Sequence, residues 1–258
     1  MNDWRSLRFG RAATSYHSST PVQLWMAERL LGLLPIDVVK PSILELGCGT
    51  GHLTRLLVDR FPKATVVATD LSEAMLRQAE ASWPQGLRPP KWETLDARAP
   101  YRASIQPELV ASNALVQWFP DLAPHFRSIR SLSKPGTDYL VSGFCRDHFP
   151  ELEGILGSVE FGYPPGPGHS PDEALEAAER SGWKALLVHE ESRLETYASA
   201  TDFLRHLKAS GANKPPPANR PLTRSRLQLL VERLTREAGT PTGIGITWKP
   251  WFLRLKAA

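Results

Sequence analysis

Cysteine is scarce in this chain. Two residues in 258 are too few for a disulfide scaffold or a four-thiolate zinc site, and they suit a reducing compartment. No apolar run approaches the ~20 residues of a membrane span. The opening MNDWRSLRFGRAATSYHSS has no apolar stretch of the secretory kind, so a cytoplasmic location is expected. His17, His52, His125, His148, His169, His189 and His206 fall at no metal-ligand spacing, so no metal is expected. Net charge is small too, at +4, and by itself points only weakly to an anionic partner.

What is present fits one sizeable globular domain over 1–258. A hydrophobic share of 41% with 22% charged residues excludes a disordered or fibrous chain. Proline is plentiful, with 23 residues, nearly twice the usual ~5%. Residues 22–34 carry apolar side chains at helical spacing, within an N-terminal helical segment 1–35. Ile43–Leu46 and Val66–Ala68 read as buried strands, and Leu53–Phe61 and Ser72–Trp83 as helices, with Ser72 as N-cap of the second. Strand, Gly-rich turn, helix, strand, helix is the start of a doubly wound, mostly parallel α/β sheet.

The alternation continues through a strand at 92–95, a strand at 109–112, a helix at 120–133 and a strand at 139–144. Residues 184–197 read as one long strand. The final strand, 247–255, is broken at Pro250, which predicts an edge position or a bulge. Two proline-rich stretches fall outside the pattern, about 147–181 and 201–239, and read as helical lid insertions over one end of the sheet.

The segment Glu45-Leu-Gly-Cys-Gly-Thr-Gly51 holds the chemistry. Glycines at 47, 49 and 51, between a strand and a helix, let a ligand approach the backbone and the free N–H groups of the helix start. Asp70 closes the next strand, where a carboxylate can accept both hydroxyls of a ribose. Asp96 closes the third, where it can meet an adenine amino group. A dinucleotide loop needs its third glycine three positions on and no anion nearby. Here the spacing is shorter and Glu45 stands beside it, which suits the cationic sulfonium and ammonium of S-adenosylmethionine. No Lys-Ser/Thr pair follows, so an ATP-type phosphate loop is excluded.

ILELGCGTGHLTRLL, TDLSEAML and LDA resemble the cofactor motifs of class I S-adenosylmethionine-dependent methyltransferases. The resemblance implies a seven-stranded Rossmann-like fold. It places Glu45, Gly47, Gly49 and Gly51 at the methionine end, Asp70, Leu71 and Met75 around ribose and adenine, Asp96 and Ala97 at the adenine, and Asn113 at the methionine moiety. FGRAATSY (Phe9–Tyr16), SNALVQWF (Ser112–Phe119), FLRHLKASGAN, LTRSRLQLL and ITWKPWFLRLKA are similar to segments of one branch, the malonyl-acyl-carrier-protein O-methyltransferases of biotin synthesis. The triple proline 215–217 and the closing strand around Pro250 depart from that pattern.

The branch implies methyl transfer to the free carboxylate of a malonyl thioester on an acidic acyl carrier protein. That carboxylate is ionised at neutral pH, with a reference pKa near ~4, so no general base is required. The site has only to position the reactants and exclude water, and Tyr16, Gln117, Trp118 and Arg146 are the expected positioning groups. Other readings are a methyltransferase for a free small carboxylic acid and a non-catalytic assembly factor on the same fold. The Asn/Asp-Pro-Pro-Tyr/Phe run of base-modifying enzymes is absent after the fourth strand, so nucleic acid is not an expected partner, nor is a membrane.

The +4 is unevenly distributed. Residues 201–236 hold Arg205, Lys208, Lys214, Arg220, Arg224, Arg226, Arg233 and Arg236 against Asp202 and Glu232, a local +6 that leaves −2 for the rest. Arg205, Lys208, Arg220, Arg224 and Arg226 are therefore the candidate contacts for the acidic carrier.

Overall fold

A computed structural model describes residues 4–99, 104–158, 161, 167–210 and 222–258. The chain begins with helices α1 (Trp4–Tyr16) and α2 (Pro21–Gly32). The alternating part follows as β1 (Ser42–Leu46), α3 (His52–Arg60), β2 (Thr65–Asp70), α4 (Glu73–Ala81), β3 (Lys91–Thr94) and β4 (Leu109–Ser112). After a short 3-10 turn at Val116–Trp118 come α5 (Ala123–Leu132), β5 (Asp138–Phe144), α6 (Pro150–Leu156) and α7 (Pro171–Glu179). The C-terminal third holds β6 (Trp183–Glu190), β7 (Arg193–Tyr197), α8 (Ala200–Ala209), α9 (Arg224–Glu237), β8 (Gly239–Thr240), β9 (Gly243–Trp248) and β10 (Pro250–Ala257).

The main sheet has seven strands in the order β3-β2-β1-β4-β5-β10-β6. β10 runs antiparallel to both of its neighbours, and the pairs from β3 to β5 are parallel. The expected doubly wound, mostly parallel α/β sheet is thus present. Its central strands are near-continuous apolar runs, because helices cover both faces. Val110, Tyr139, Val141 and Leu253 pack with Phe126 and Ile129 of α5 on one face. Ile43, Leu109, Ala111 and Leu140 pack with Met26 and Leu30 of α2 and Leu57 of α3 on the other. Ser72 caps α4 as its sequence predicts, its Oγ accepting the Met75 N–H at 3.4 Å.

Three expectations are corrected. Residues 184–197 are two strands in two sheets. The polar pair Glu191-Ser192 interrupts them, and Glu191 turns out to an ion pair with Arg29 at 3.2 Å. The final strand is likewise two, with β9 leaving for a small second sheet of order β7-β9-β8. Pro250 marks neither an edge nor a bulge. It is the first residue of β10, an interior strand, and the register shift falls at Arg254/Leu255. A first position tolerates proline because no ladder N–H is lost there.

The third correction concerns the stretch 147–181. Its second helix, α7, lies against β6, β10 and α5 and is therefore a crossover helix of the sheet. α6, α8 and α9 pack on one another and on the small sheet, and α1 crosses from α4 to α8. The Ser15 hydroxyl donates to the Ala209 carbonyl at 3.0 Å and ties α1 to the end of α8.

Candidate cofactor and substrate site

The carboxyl ends of β1, β2, β3 and β4 face a pocket under α1, where a doubly wound sheet exposes free backbone groups. Gly47, Gly49, Asp70, Leu71, Met75, Asp96, Ala97 and Asn113 all line it, joined by Phe9, Tyr16 and Arg98. The loop after β1 needs its glycines. Gly47 has φ +68, and a Cβ there would fall 2.9 Å from the Leu115 side chain. Gly49 has φ +54 and lies under the Tyr16 ring, with 3.5 Å between an added Cβ and the ring edge. Gly51 does not line the pocket. It sits at the N-cap of α3 with φ +89 and turns the chain into the helix.

Asp70 organises this loop. Its Oδ2 accepts the Gly49 N–H at 2.9 Å and its Oδ1 accepts the Ser72 N–H at 2.8 Å. Burial raises its pKa, and the backbone N–H groups oppose that rise. Glu45 is 2% exposed and lies behind the glycines. Burial pushes its pKa up to about 8, opposed by the Thr54 side chain and reinforced by the nearby Asp70 charge. Its Oε2 has no hydrogen-bond partner. A buried acceptor left open in this way is completed by a cationic donor. The pocket therefore fits a ligand with a sugar at Asp70 and a positive charge near Glu45, as S-adenosylmethionine carries.

At the far end, Asp96 is held by Arg98, whose Nε and Nη2 reach its two oxygens at 2.8 and 2.7 Å. This clamp fixes Asp96 at the pocket wall and was not foreseen from sequence, although Arg98 stands only two positions on. Asn113 is fixed at both ends of its amide. It donates to the Gln23 carbonyl at 2.9 Å and accepts from Ser142 Oγ at 2.7 Å. Ala114 follows in left-handed backbone, φ 52, with its N–H on Ser142 Oγ at 3.2 Å. A non-glycine residue in that region at a ligand wall is strained backbone held in place by its neighbours.

A second chamber adjoins the first, and Phe9, Tyr16, Ala114 and Trp118 belong to both. Its other walls include Gln23, Gln117, Phe144, His148, Phe149 and Trp248. Tyr16, Gln117 and Trp118 thus line one chamber. Burial, with the Asp70 charge added, raises the Tyr16 pKa far above its usual value, so the phenol keeps its proton. Trp118 stands edge-on to Phe9, with centroids 5.5 Å apart.

Arg146 does not join them. Its Nη2 pairs with both oxygens of Glu173 at 2.9 and 3.1 Å, at the start of α7, where the carboxylate also closes a capping box with Ser170. The neighbouring anion, in partly exposed surroundings, outcompetes a distant site for the guanidinium. Arg226 and Arg205 are also engaged. Arg226 donates to the Phe161 carbonyl at 3.1 Å, and Arg205 pairs with Asp202 at 2.8 Å. Lys208 and Arg224 make no ion pair among the described residues. Arg220 lies outside the described residues.

Residues 43–136 match a family described as a methyltransferase domain. Similarity extends much further in the malonyl-acyl-carrier-protein O-methyltransferase of Geobacter sulfurreducens. It is 30% identical over 264 residues, covering 96% of this chain and 97% of that protein. The chain belongs to the malonyl-acyl-carrier-protein O-methyltransferase family. The biotin biosynthesis bifunctional protein BioCD of Bordetella avium is also 30% identical, over 91% of this chain and 49% of that longer protein, so the chain spans about half its length. A solved S-adenosylmethionine-dependent methyltransferase from Mesorhizobium loti shares the fold, with a TM-score of 0.52 at 18% identity over 89% of this chain and 96% of that one. The family is one of S-adenosylmethionine-dependent O-methyltransferases, and this chain is such an enzyme.

Proposed function

We propose that the enzyme acts in the cytoplasm on the free carboxylate of a malonyl group carried as a thioester on acyl carrier protein. The observation that carries this reading is the joining of two compartments across Tyr16, Ala114 and Trp118. One compartment has the Asp70 wall that a ribose needs, with Glu45 buried behind its glycines, and the other is a largely apolar chamber beside it. When bound, S-adenosylmethionine supplies an electrophilic methyl; a carboxylate oxygen forms the new C–O bond as the C–S bond breaks, and the sulfur keeps the electron pair.

In this reading Glu45, Gly47 and Gly49 hold the methionine end, Asp70 with Leu71 and Met75 the ribose and adenine, and Asp96 with Ala97 the adenine edge. Asn113 supports the loop between the compartments. No proton has to leave the nucleophile, so the site needs no base. Burial pushes the pKa of His148, the histidine of the second chamber, down to about 4, which makes it a poor base at neutral pH. Tyr16 keeps its phenolic proton and can donate it to the carboxylate oxygen that does not react. A neutral donor orients the nucleophile without the charge that a guanidinium would set against it. Phe9, Trp118 and Phe149 keep water from the transferring methyl.

The test compares malonyl on carrier protein, malonyl on coenzyme A and free malonate as acceptors at equal concentration. The reading expects methyl ester on the carrier-bound acid with the highest kcat/KM. Turnover of the free acid alone would move the assignment to a small-acid methyltransferase.

A further inference from the structure

Residues lining the second chamber carry buried polar atoms that have no hydrogen-bond partner among the described residues. Gln117 is 6% exposed, and its Nε2 donates to the Ala114 carbonyl at 2.7 Å. That bond fixes which end of the amide is which, because a carboxamide oxygen in the same place would face another oxygen. Oε1 is therefore an acceptor, and it is buried without a partner. Gln23, 7% exposed, also has a partnerless Oε1. His148 donates its Nδ1 proton to the Cys145 carbonyl at 3.1 Å, and its lowered pKa keeps the ring neutral. All of these groups are uncharged, and the two carboxamide oxygens are open acceptors.

Such a wall is poorly matched to an anion. A carboxylate placed here would meet two carboxamide oxygens with no cation among the described lining residues. It is well matched to a secondary amide, which brings an N–H and a carbonyl and no charge. Leaving buried groups of this kind unpaired is costly, so the ligand that pairs them is selected over one that does not.

We infer that this chamber reads an amide of the thioester arm, with Gln117 Oε1 accepting its N–H, and that Gln117 sets specificity for pantetheine-type thioesters over other malonyl esters. The inference rests on the carboxylate reading above. That reading puts the acid at Tyr16, which also lines the second chamber, so the acyl chain extends into it. In a pantetheine arm the first amide follows the sulfur by a short two-carbon link, which places an N–H donor directly behind the thioester. Gln117 is already locked by the strained Ala114, so its acceptor is held in place before the ligand arrives.

The experiment uses the native enzyme and two small acceptors: the malonyl thioester of N-acetylcysteamine, and an alkyl thioester of matched length without an amide. The native enzyme should favour the amide-bearing thioester in kcat/KM by ~10-fold or more. Gln117→Leu should shrink that ratio toward one, chiefly through KM of the amide-bearing acceptor. A purely structural role for Gln117 would lower both acceptors alike. Equal use of the two thioesters by the native enzyme overturns the inference, whether or not the variant folds. So does a ratio unchanged in a folded Gln117→Leu protein. No turnover of either thioester, together with turnover of free malonate, removes the carboxyl-thioester reading and this inference with it.

Discussion

The carboxylate of Asp70 accepts the backbone N–H of Gly49 at 2.9 Å, so the residue that closes β2 also fixes the middle of the glycine loop after β1. Its second oxygen holds the Ser72 N–H, one step before α4. Cofactor wall and loop shape are therefore set by one side chain. Asp70→Ala should weaken binding of S-adenosylhomocysteine at least ~10-fold, because two buried N–H donors lose their acceptor as well as the ligand. Isothermal titration checks this, and unchanged affinity would disconnect Asp70 from the site.

Glu45 gives a pH signature. Its pKa is pushed up from 4.5 to about 8, so the carboxyl is largely protonated at pH 7. The form that pairs with a cationic ligand is the ionised one. Affinity for S-adenosylhomocysteine should therefore rise as pH climbs from 6 toward 8, with a proton released on binding. Glu45→Gln should flatten that dependence. For the ligand-free protein the sign is the reverse: a raised folded pKa gives stability that is complete below 4.5 and lost as pH rises through about 8.

Three histidines act at the acid side. Burial pushes His52 down to about 3, and His125 and His148 to about 4, from 6.5. The unfolded chain takes up these protons as pH falls below 6.5, while the folded chain does not until lower pH. Thermal stability should drop steadily from pH 6.5 to about 4. His52 bonds Thr20 Oγ1 at 2.9 Å and stacks on His17, so His52→Gln should soften the acid slope and loosen the link between α2 and the glycine loop.

The basic stretch divides into two kinds of residue. Arg226 donates to the Phe161 carbonyl and covers its ring at 5.4 Å, so Arg226→Glu should lower the melting temperature. Among the described residues, Lys208 and Arg224 have no such structural task. Reversing both charges should raise KM for a carrier-bound acceptor several-fold, with cofactor affinity unchanged, and the effect should shrink as salt rises. An equal KM at low and high salt would leave these cations as a solvated face.

The cofactor half of this site is legible in the chain because its signals are local. The glycines at 47, 49 and 51, Ser72 as a cap and Asp70 at a strand end each have a meaning within a few residues. The substrate half is assembled from distant pieces. Gln23 on α2, Gln117 after β4 and Trp248 at the end of β9 line one chamber from far apart in the chain, and periodicity could not reveal the small sheet that holds β9 while 184–197 read as one strand. Arg146 illustrates the opposite case. A guanidinium after β5 suggests a carboxylate clamp, and Glu173, 27 positions later, is the carboxylate it finds.

The central claim is methyl transfer to a carboxylate across the Tyr16 junction. The most direct measurement follows labelled methyl from S-adenosylmethionine into malonyl carrier protein, with mass analysis of the acyl group before and after mild ester hydrolysis. The account predicts one methyl per malonyl, lost on hydrolysis, with an equal amount of S-adenosylhomocysteine and a strongly reduced rate in Tyr16→Phe. Label on the carrier polypeptide itself, or none while a free acid is methylated, would contradict it.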